Sequence, residues 1–280
     1  MPTSATRPSK PATTGAHRLP VPPVRIPVGQ AGPMALFLDM DGVLAPFAPT
    51  PEAVVPTPRR TAVLKRLQRA LEGRMAVISG RSLAEIDRLT GGAAPSASGV
   101  HGLERRRRDG SMQNFKEAPG VREAVAAFDD FAADNPGVIV EDKGVSAGLH
   151  FRQAPEAGDD ATRLAHDVAD RTGLALQAGS MVLELKTPGA DKGSALTAFM
   201  AEVPFKGAVP IMVGDDLTDE HAFRAAAVLG GFGILVGPAR ETAARYGLEG
   251  VEAVLDWLEA VGDACETMGS PRTDFLETEA

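Results

Sequence analysis

The chain has 280 residues, enough for one large domain or two modest ones, and 44% of them are hydrophobic, an ordinary fraction for a packed core. Its 29 basic and 37 acidic residues give a net charge of −8, which argues against a nucleic-acid-binding surface. The single cysteine, Cys265, excludes a disulfide framework and points to a reduced cytoplasmic setting, and no apolar run reaches membrane-spanning length.

Residues 1–30 are rich in Pro, Ala, Thr and Ser without any period, so a disordered leader is expected. Arg7, Lys10, His17 and Arg18 make it basic, but no apolar segment follows, so it does not read as a secretory signal. Met34-Ala35-Leu36-Phe37-Leu38 then reads as a short strand buried on both faces. It runs into Asp39-Met40-Asp41-Gly42. Two carboxylates this close repel unless a cation lies between them, and hard oxygen ligands suit Mg²⁺. Gly42 lets the backbone approach a ligand. The same residues also fit a plain turn with solvated aspartates, and only partners downstream separate the two readings.

Ala45 to Pro58 is proline-rich and non-helical, a flap beside the site. Pro58 opens an amphipathic helix with Val63, Leu64, Leu67 and Leu71 at helical spacing. Arg74 to Ile78 is a second buried strand, ending in Ser79-Gly80-Arg81. A hydroxyl there can bind an oxyanion with help from the next helix's N-terminus, or the pair is simply a turn. A helix from Ser82 through Leu89 follows, then a strand from Ala97 to Val100 leading into His101-Gly102-Leu103-Glu104. Arg105 to Arg108 with Asp109-Gly110 predicts a solvated charged hairpin.

From about 113 to 187 the pattern changes to helix (Gly120 to Ala133), two strands (Val138 to Lys143, Ser146 to Arg152), helix (Ala161 to Thr172) and two strands (Leu174 to Gln177, Met181 to Lys186). This order predicts an α+β module with an antiparallel sheet. Glu141 with Lys143, His150 with Arg152, and Glu184 with Lys186 each lie two apart and so share a face. That face is either solvated or reads a ligand. Lys192 then sits at a glycine-flanked helix start, with the helix running from Ser194 to about Val203. Val209 to Val213 is another buried strand, followed by Gly214-Asp215-Asp216-Leu217-Thr218-Asp219-Glu220. Gly233 to Gly237 is taken as the last core strand, Val251 to Val261 as the last helix, and 265–280 as a loose tail.

The alternation on both sides of the insert predicts an α/β fold, a doubly wound Rossmann-like parallel-sheet core (31–112 and 188–264) with an inserted α+β cap (113–187). Ligands bind such sheets at the carboxyl ends of the strands, where Asp39, Asp41, Ser79, Lys192 and Asp215 all fall. Two carboxylate clusters, a hydroxyl and a lysine at one sheet edge suit Mg²⁺-dependent phosphoryl transfer.

Asp39-Met40-Asp41-Gly42-Val43-Leu44, Ser79-Gly80-Arg81, Lys192 and Gly214-Asp215-Asp216 resemble, in order, the four motifs of the haloacid dehalogenase-like phosphatases. His101 to Glu104, Glu141-Asp142-Lys143-Gly144, Leu149 to Arg152, Glu184-Leu185-Lys186 and Asp215 to Glu220 are similar to the trehalose-6-phosphate phosphatase branch, which carries a C2-type cap. The resemblance spans about Ala35 to Trp257, and Val43 departs from it where threonine is common. It implies Asp39 as nucleophile and Asp41 as general acid and base, with Ser79 and Lys192 on the phosphoryl oxygens. Mg²⁺ would be held by Asp39, the Asp41 carbonyl and Asp215, with Asp216 and Asp219 orienting them. Arg81, His101, Glu104, Glu141, Lys143 and Glu184 would bind a small sugar phosphate, and the cap would exclude water. Apart from the resemblance, the lack of a visible coiled coil or repeat leads one to expect a monomer, and cysteine use, charge and hydropathy lead one to expect a cytoplasmic protein with no nucleic acid or membrane partner. Other capped sugar phosphatases (sucrose-phosphate or mannosyl-phosphoglycerate type), a receiver-like domain and a catalytically silent sugar-phosphate sensor are the alternatives.

Overall fold

The computed structural model describes residues 18–25, 32–114, 118–179 and 181–269. The chain opens with β1 (Met34–Leu38), α1 (Pro58–Ala70), β2 (Met75–Ile78), α2 (Leu83–Thr90), β3 (Ser96–Gly99), β4 (Glu104–Arg106) and β5 (Met112–Asn114). The insert holds α3 (Gly120–Asp134), β6 (Ile139–Asp142), β7 (Ser146–His150), α4 (Gly158–Thr172), β8 (Ala175–Gly179) and β9 (Val182–Lys186). The chain returns with α5 (Lys192–Met200), β10 (Val209–Gly214), α6 (Glu220–Val228), β11 (Phe232–Val236), β12 (Tyr246–Leu248) and α7 (Val251–Gly269).

The large sheet runs β12-β11-β10-β1-β2-β3-β4-β5, parallel through β3 and antiparallel at β4 and β5. The chain winds outwards from β1 through β2 and β3, then returns on the other side through β10. Strand order therefore reverses beside β1, the position at which doubly wound sheets bind ligands. All five β1 residues are buried because alternate side chains feed two layers. Leu36 and Leu38 pack with Val63, Leu64 and Leu258. Ala35 and Phe37 face Phe199, Phe205 and Phe223, and the Phe37 ring stacks on Phe205 at 5.3 Å.

Local capping agrees with the sequence. Thr57 accepts from the Arg60 amide at the start of α1, with Pro58 in the first turn. Ser82 and Glu85 form a reciprocal capping box on α2. In the insert, the antiparallel sheet β6-β7-β9-β8 lays Ala147, Leu149, Leu183 and Leu185 against Val121, Phe128, Ala165 and Val168 of α3 and α4. Its other face carries Glu141, His150 and Glu184 and turns towards the carboxyl ends of the core strands.

Several expectations need correction. Residues 18–25 are not structureless: the amide of Gly247 donates to Pro20 O at 3.0 Å, and Trp257 Nε1 donates to Pro23 O at 3.3 Å. This segment covers β12, a short edge strand the sequence reading missed, and unpaired edges favour such covering. The rest of the expected leader, 1–17 and 26–30, lies outside the described residues. The last helix extends to Gly269, so the expected loose tail begins as helix, and 270–280 lie outside the described residues. The hairpin is solvated only at its tip, Arg108 to Gln113. Arg105 is buried, Arg105 and Arg107 both pair with Glu202, and Arg106 pairs with Asp87. Among the described residues no helix is long and apolar enough to cross a membrane.

Candidate active site

The end of β1 delivers Asp39 into a buried position. Its amide donates to Val213 O at 3.0 Å, its Oδ1 accepts from the Met40 amide at 2.7 Å, and its Oδ2 accepts from Lys192 Nζ at 2.7 Å. The chain then folds back tightly, the amides of Leu44 and Ala45 both donating to Met40 O. Gly42 is required in this turn. Its φ is +75°, and a β-carbon there would lie 2.1 Å from Asp215 Oδ2.

The end of β10 supplies the second acidic group. Asp219 is fully buried; its Oδ1 accepts from Lys192 Nζ at 2.8 Å, and its Oδ2 accepts from the amides of Asp215 at 2.9 Å and Asp216 at 3.1 Å. Asp216 caps the turn by accepting from the Leu217 amide. One carboxylate oxygen from each of Asp39, Asp215 and Asp219 lies within 4.8 Å of the others. Burial, then the neighbouring carboxylates, push Asp215 up to about 8. Burial likewise raises Asp39 to about 7, with Lys192 opposing. Burial would lower the Lys192 pKa, but Asp219 and Asp39 outweigh it and hold the ammonium charged.

Fully ionised, three carboxylates against one ammonium would carry two uncompensated negative charges, which is why burial and mutual repulsion together drive the Asp39 and Asp215 pKa values up. Asp215 Oδ1 is buried without a hydrogen-bond partner. Both features fit a divalent cation, which would occupy the orphaned oxygen and remove the repulsion. The Asp41 side chain is not in this set. Arg81 grips it in a fork, Nε to Oδ2 at 2.7 Å and Nη2 to Oδ1 at 2.8 Å, and also binds Glu85 at 2.7 Å. Arg81, expected on the substrate, thus holds Asp41. Ser79 is buried at the end of β2 and lines the same cavity as Asp39, Asp41 and Lys192.

The cap closes over this floor. Lys143 Nζ donates across the junction to Gly80 O at 3.0 Å and lies 3.5 Å from Glu141 and 3.6 Å from Glu184. Ser146 Oγ donates to Glu184 at 2.6 Å, and His101 Nε2 is 3.1 Å from the other Glu184 oxygen. Burial would raise the Glu184 pKa, but Lys143, then His101 and Ser146, hold it well below the usual carboxylate range. Burial lowers the His101 pKa and favours neutral imidazole, with Nδ1 buried and unpartnered. His101 sits in a left-handed run, with φ of 45° at Val100, 51° at His101 and 104° at Gly102. A β-branched residue in that region is strained, and such strain gathers where function over-determines the backbone.

Glu104 is not brought to the cleft. Its Oε2 accepts from the Leu83 amide at 3.2 Å, in the first turn of α2, where a carboxylate suits the helix dipole. His150 and Arg152 do line the cleft, His150 lying 2.9 Å from Glu141. Sequence reasoning missed Phe47, 58% exposed on the flap, and Gln177, 2.8 Å from His101. An exposed aromatic in a proline-rich flap was a usable signal, whereas Gln177 carried none. Flap, cap and core enclose two adjoining cavities of about 170 and about 200 Å³, the smaller over Asp39 and Lys192 and the larger under the cap sheet.

A family model described as trehalose-phosphatase matches residues 37–252. The chain is 38% identical over 234 residues to the trehalose-6-phosphate phosphatase of Escherichia coli (strain K12), covering 83% of this chain and 88% of that protein. It is 39% identical over 206 residues to a probable trehalose-phosphate phosphatase of Sinorhizobium fredii (strain NBRC 101917 / NGR234), covering 73% and 78%. The fold is similar to the C-terminal domain of the C. albicans trehalose-6-phosphate phosphatase, with a TM-score of 0.73 at 21% identity over 83% of this chain and 93% of that one.

Proposed function

This chain belongs to the trehalose-phosphatase family, and from that premise we propose that it hydrolyses trehalose 6-phosphate to trehalose and phosphate in the last step of trehalose synthesis. The observation that carries the chemistry is the convergence of Asp39, Lys192 and Asp215 beneath a cleft whose wall holds Asp41. In the first step an Asp39 oxygen attacks phosphorus, the bond to the sugar oxygen breaks, and Asp41 gives that oxygen a proton. Asp41 must turn from Arg81 to do so. In the second step water attacks phosphorus, Asp41 takes its proton, and Asp39 is released as carboxylate. Ser79 and Lys192 hold the phosphoryl oxygens. Mg²⁺ would be held by Asp39, Asp215 and the Asp41 carbonyl, with Asp216 and Asp219 keeping those ligands in place. When bound, it offsets the repulsion between nucleophile and phosphate.

The cap reads the sugar. Glu141, Lys143 and Glu184 already form a largely buried cluster in which one ammonium serves two carboxylates, so sugar hydroxyls would join or replace these partners. A sugar lacking the right hydroxyl would leave one of these charges unpaired, which is costly. A cytoplasmic setting fits the single cysteine.

The test is Mg²⁺-dependent phosphate release from a panel of sugar phosphates, with Asp39→Asn as blank. Release from trehalose 6-phosphate should far exceed that from glucose 6-phosphate and sucrose 6-phosphate and vanish in the blank. Equal release from all three would refute the cap's role, and none from any would favour the silent sensor.

A further inference from the structure

A further cavity, of about 410 Å³, lies behind the phosphoryl-transfer groups, between β8 and β9 of the cap and the start of α5. It shares His101, Lys192 and Thr218 with the cleft over Asp39 and adds Lys186, Asp191 and His221 to its wall. Lys186 is only 6% exposed. Its ammonium makes one hydrogen bond, to the neutral amide oxygen of Gln177 at 3.0 Å, and no ion pair among the described residues. An ammonium has three donors, so this one is under-used.

The nearby carboxylate does not supply the difference. Asp191 Oδ1 accepts from the Ser194 amide at 2.7 Å to cap α5, and its Oδ2 pairs with His221 at 3.0 Å. Burial depresses the Lys186 pKa in spite of Glu184 and Asp191 nearby, the sign of a positive charge lacking compensation. In the front cleft, by contrast, each cation has carboxylate partners, Arg81 in Asp41 and Glu85 and Lys143 in Glu141 and Glu184. A small oxyanion would satisfy both idle donors of Lys186 and adjoin the positive charge of Lys192.

We propose that this rear cavity binds inorganic phosphate, anchored by Lys186, and is the route by which phosphate formed at Asp39 leaves. The source of that phosphate rests on the phosphatase reading above; the binding site itself does not. The geometry separates the two products, the neutral sugar leaving under the flap and the anion moving past Lys192 to Lys186 and the exposed His221.

Calorimetric titration of the full chain with inorganic phosphate in EDTA tests the site. Without a divalent cation the front carboxylates repel phosphate, so binding reports the rear cavity. One phosphate per chain should bind. Lys186→Met should weaken it about tenfold, the scale of one lost charge-assisted bond, and Lys186→Arg should retain it. His221→Glu, at an exposed position and checked for an unchanged far-UV CD spectrum, should weaken it as well. No binding, or equal affinity in wild type, Lys186→Met and His221→Glu, would overturn the site. The route is tested by single-turnover hydrolysis of trehalose 6-phosphate. Ala175→Trp, which puts a large ring beside Lys186 on the same face of the cap sheet and fills the cavity, should delay free phosphate relative to trehalose, and an unchanged interval would overturn the exit. Absence of turnover in the wild type would fail the phosphatase reading and the exit together, while calorimetry still decides the binding site.

Discussion

Glu184 carries the most demanding electrostatics of any single residue in the cap. It is 5% exposed, yet Lys143, His101 and Ser146 keep it ionised against the pull of burial. Glu184→Gln would strand the Lys143 ammonium beside one remaining carboxylate, Glu141. Steady-state kinetics should show KM for trehalose 6-phosphate rising roughly 10- to 100-fold, the range for a lost hydrogen bond to a charged group. Hydrolysis of p-nitrophenyl phosphate, which has no sugar hydroxyls, should change by less than about threefold on the same grounds. Equal losses on both substrates would place Glu184 in the phosphoryl chemistry instead. The residue also shows where reading a sequence stops. Its type and its place on a charged face were legible, but its bond to Ser146, 38 positions away, was not. Gln177 was invisible altogether, since a glutamine in a short strand matches no motif, and its use comes from lying across the junction from His101.

Two elements decide how firmly the cleft is framed. The flap between β1 and α1 is pinned by Arg60, whose buried guanidinium donates to Leu44 O at 2.8 Å and to Val55 O and Leu89 O at 3.1 Å. Arg60→Leu leaves three carbonyls without that donor. It should cost about 3 kcal/mol in denaturant unfolding and raise KM, because the flap carries Phe47. The β4–β5 hairpin is held by Glu202, whose pKa hydrogen bonds from Arg105, then Arg107, lower from 4.5 to about 2. Because the folded value lies below the unfolded one, this stabilisation is complete above pH 4.5 and disappears as pH falls through about 2. Thermal melts should therefore show a gap between wild type and Glu202→Gln at pH 6 that narrows towards pH 2.5. A constant gap would mean that Glu202 acts by packing alone. The run of four arginines reads as solvated from sequence because Asp87 and Glu202, the partners of Arg105, Arg106 and Arg107, are distant in the chain.

At the scale of the whole molecule, the candidate cation site spans the joint between the two halves of the sheet, so that a bound cation would add to the stability of the fold. Asp39 arrives on β1 and Asp215 follows β10, adjacent parallel strands, with Lys192 reaching both Asp39 and Asp219 from α5. Above the raised Asp215 pKa of about 8 this junction stores repulsion when no cation is bound, so Asp215→Asn should raise the melting temperature in EDTA at such pH. Mg²⁺ at a hundred times its Kd should stabilise the wild type by roughly 2.7 kcal/mol and the variant far less. Melts that respond to Mg²⁺ equally in both proteins would exclude Asp215 as a ligand. The sequence by itself determined the alternation of elements, the insert, and the placing of Asp39, Asp41, Ser79, Lys192 and Asp215 at strand ends, because these follow from local periodicity and from motifs a few residues long. Only the tertiary structure decided that Arg81 holds Asp41, that Glu104 serves a helix start, that residues 18–25 cover the β12 edge, and that Lys186 faces a rear cavity with donors to spare. Each of those depends on which distant groups burial brings into contact, and a buried charge takes its meaning from its partners.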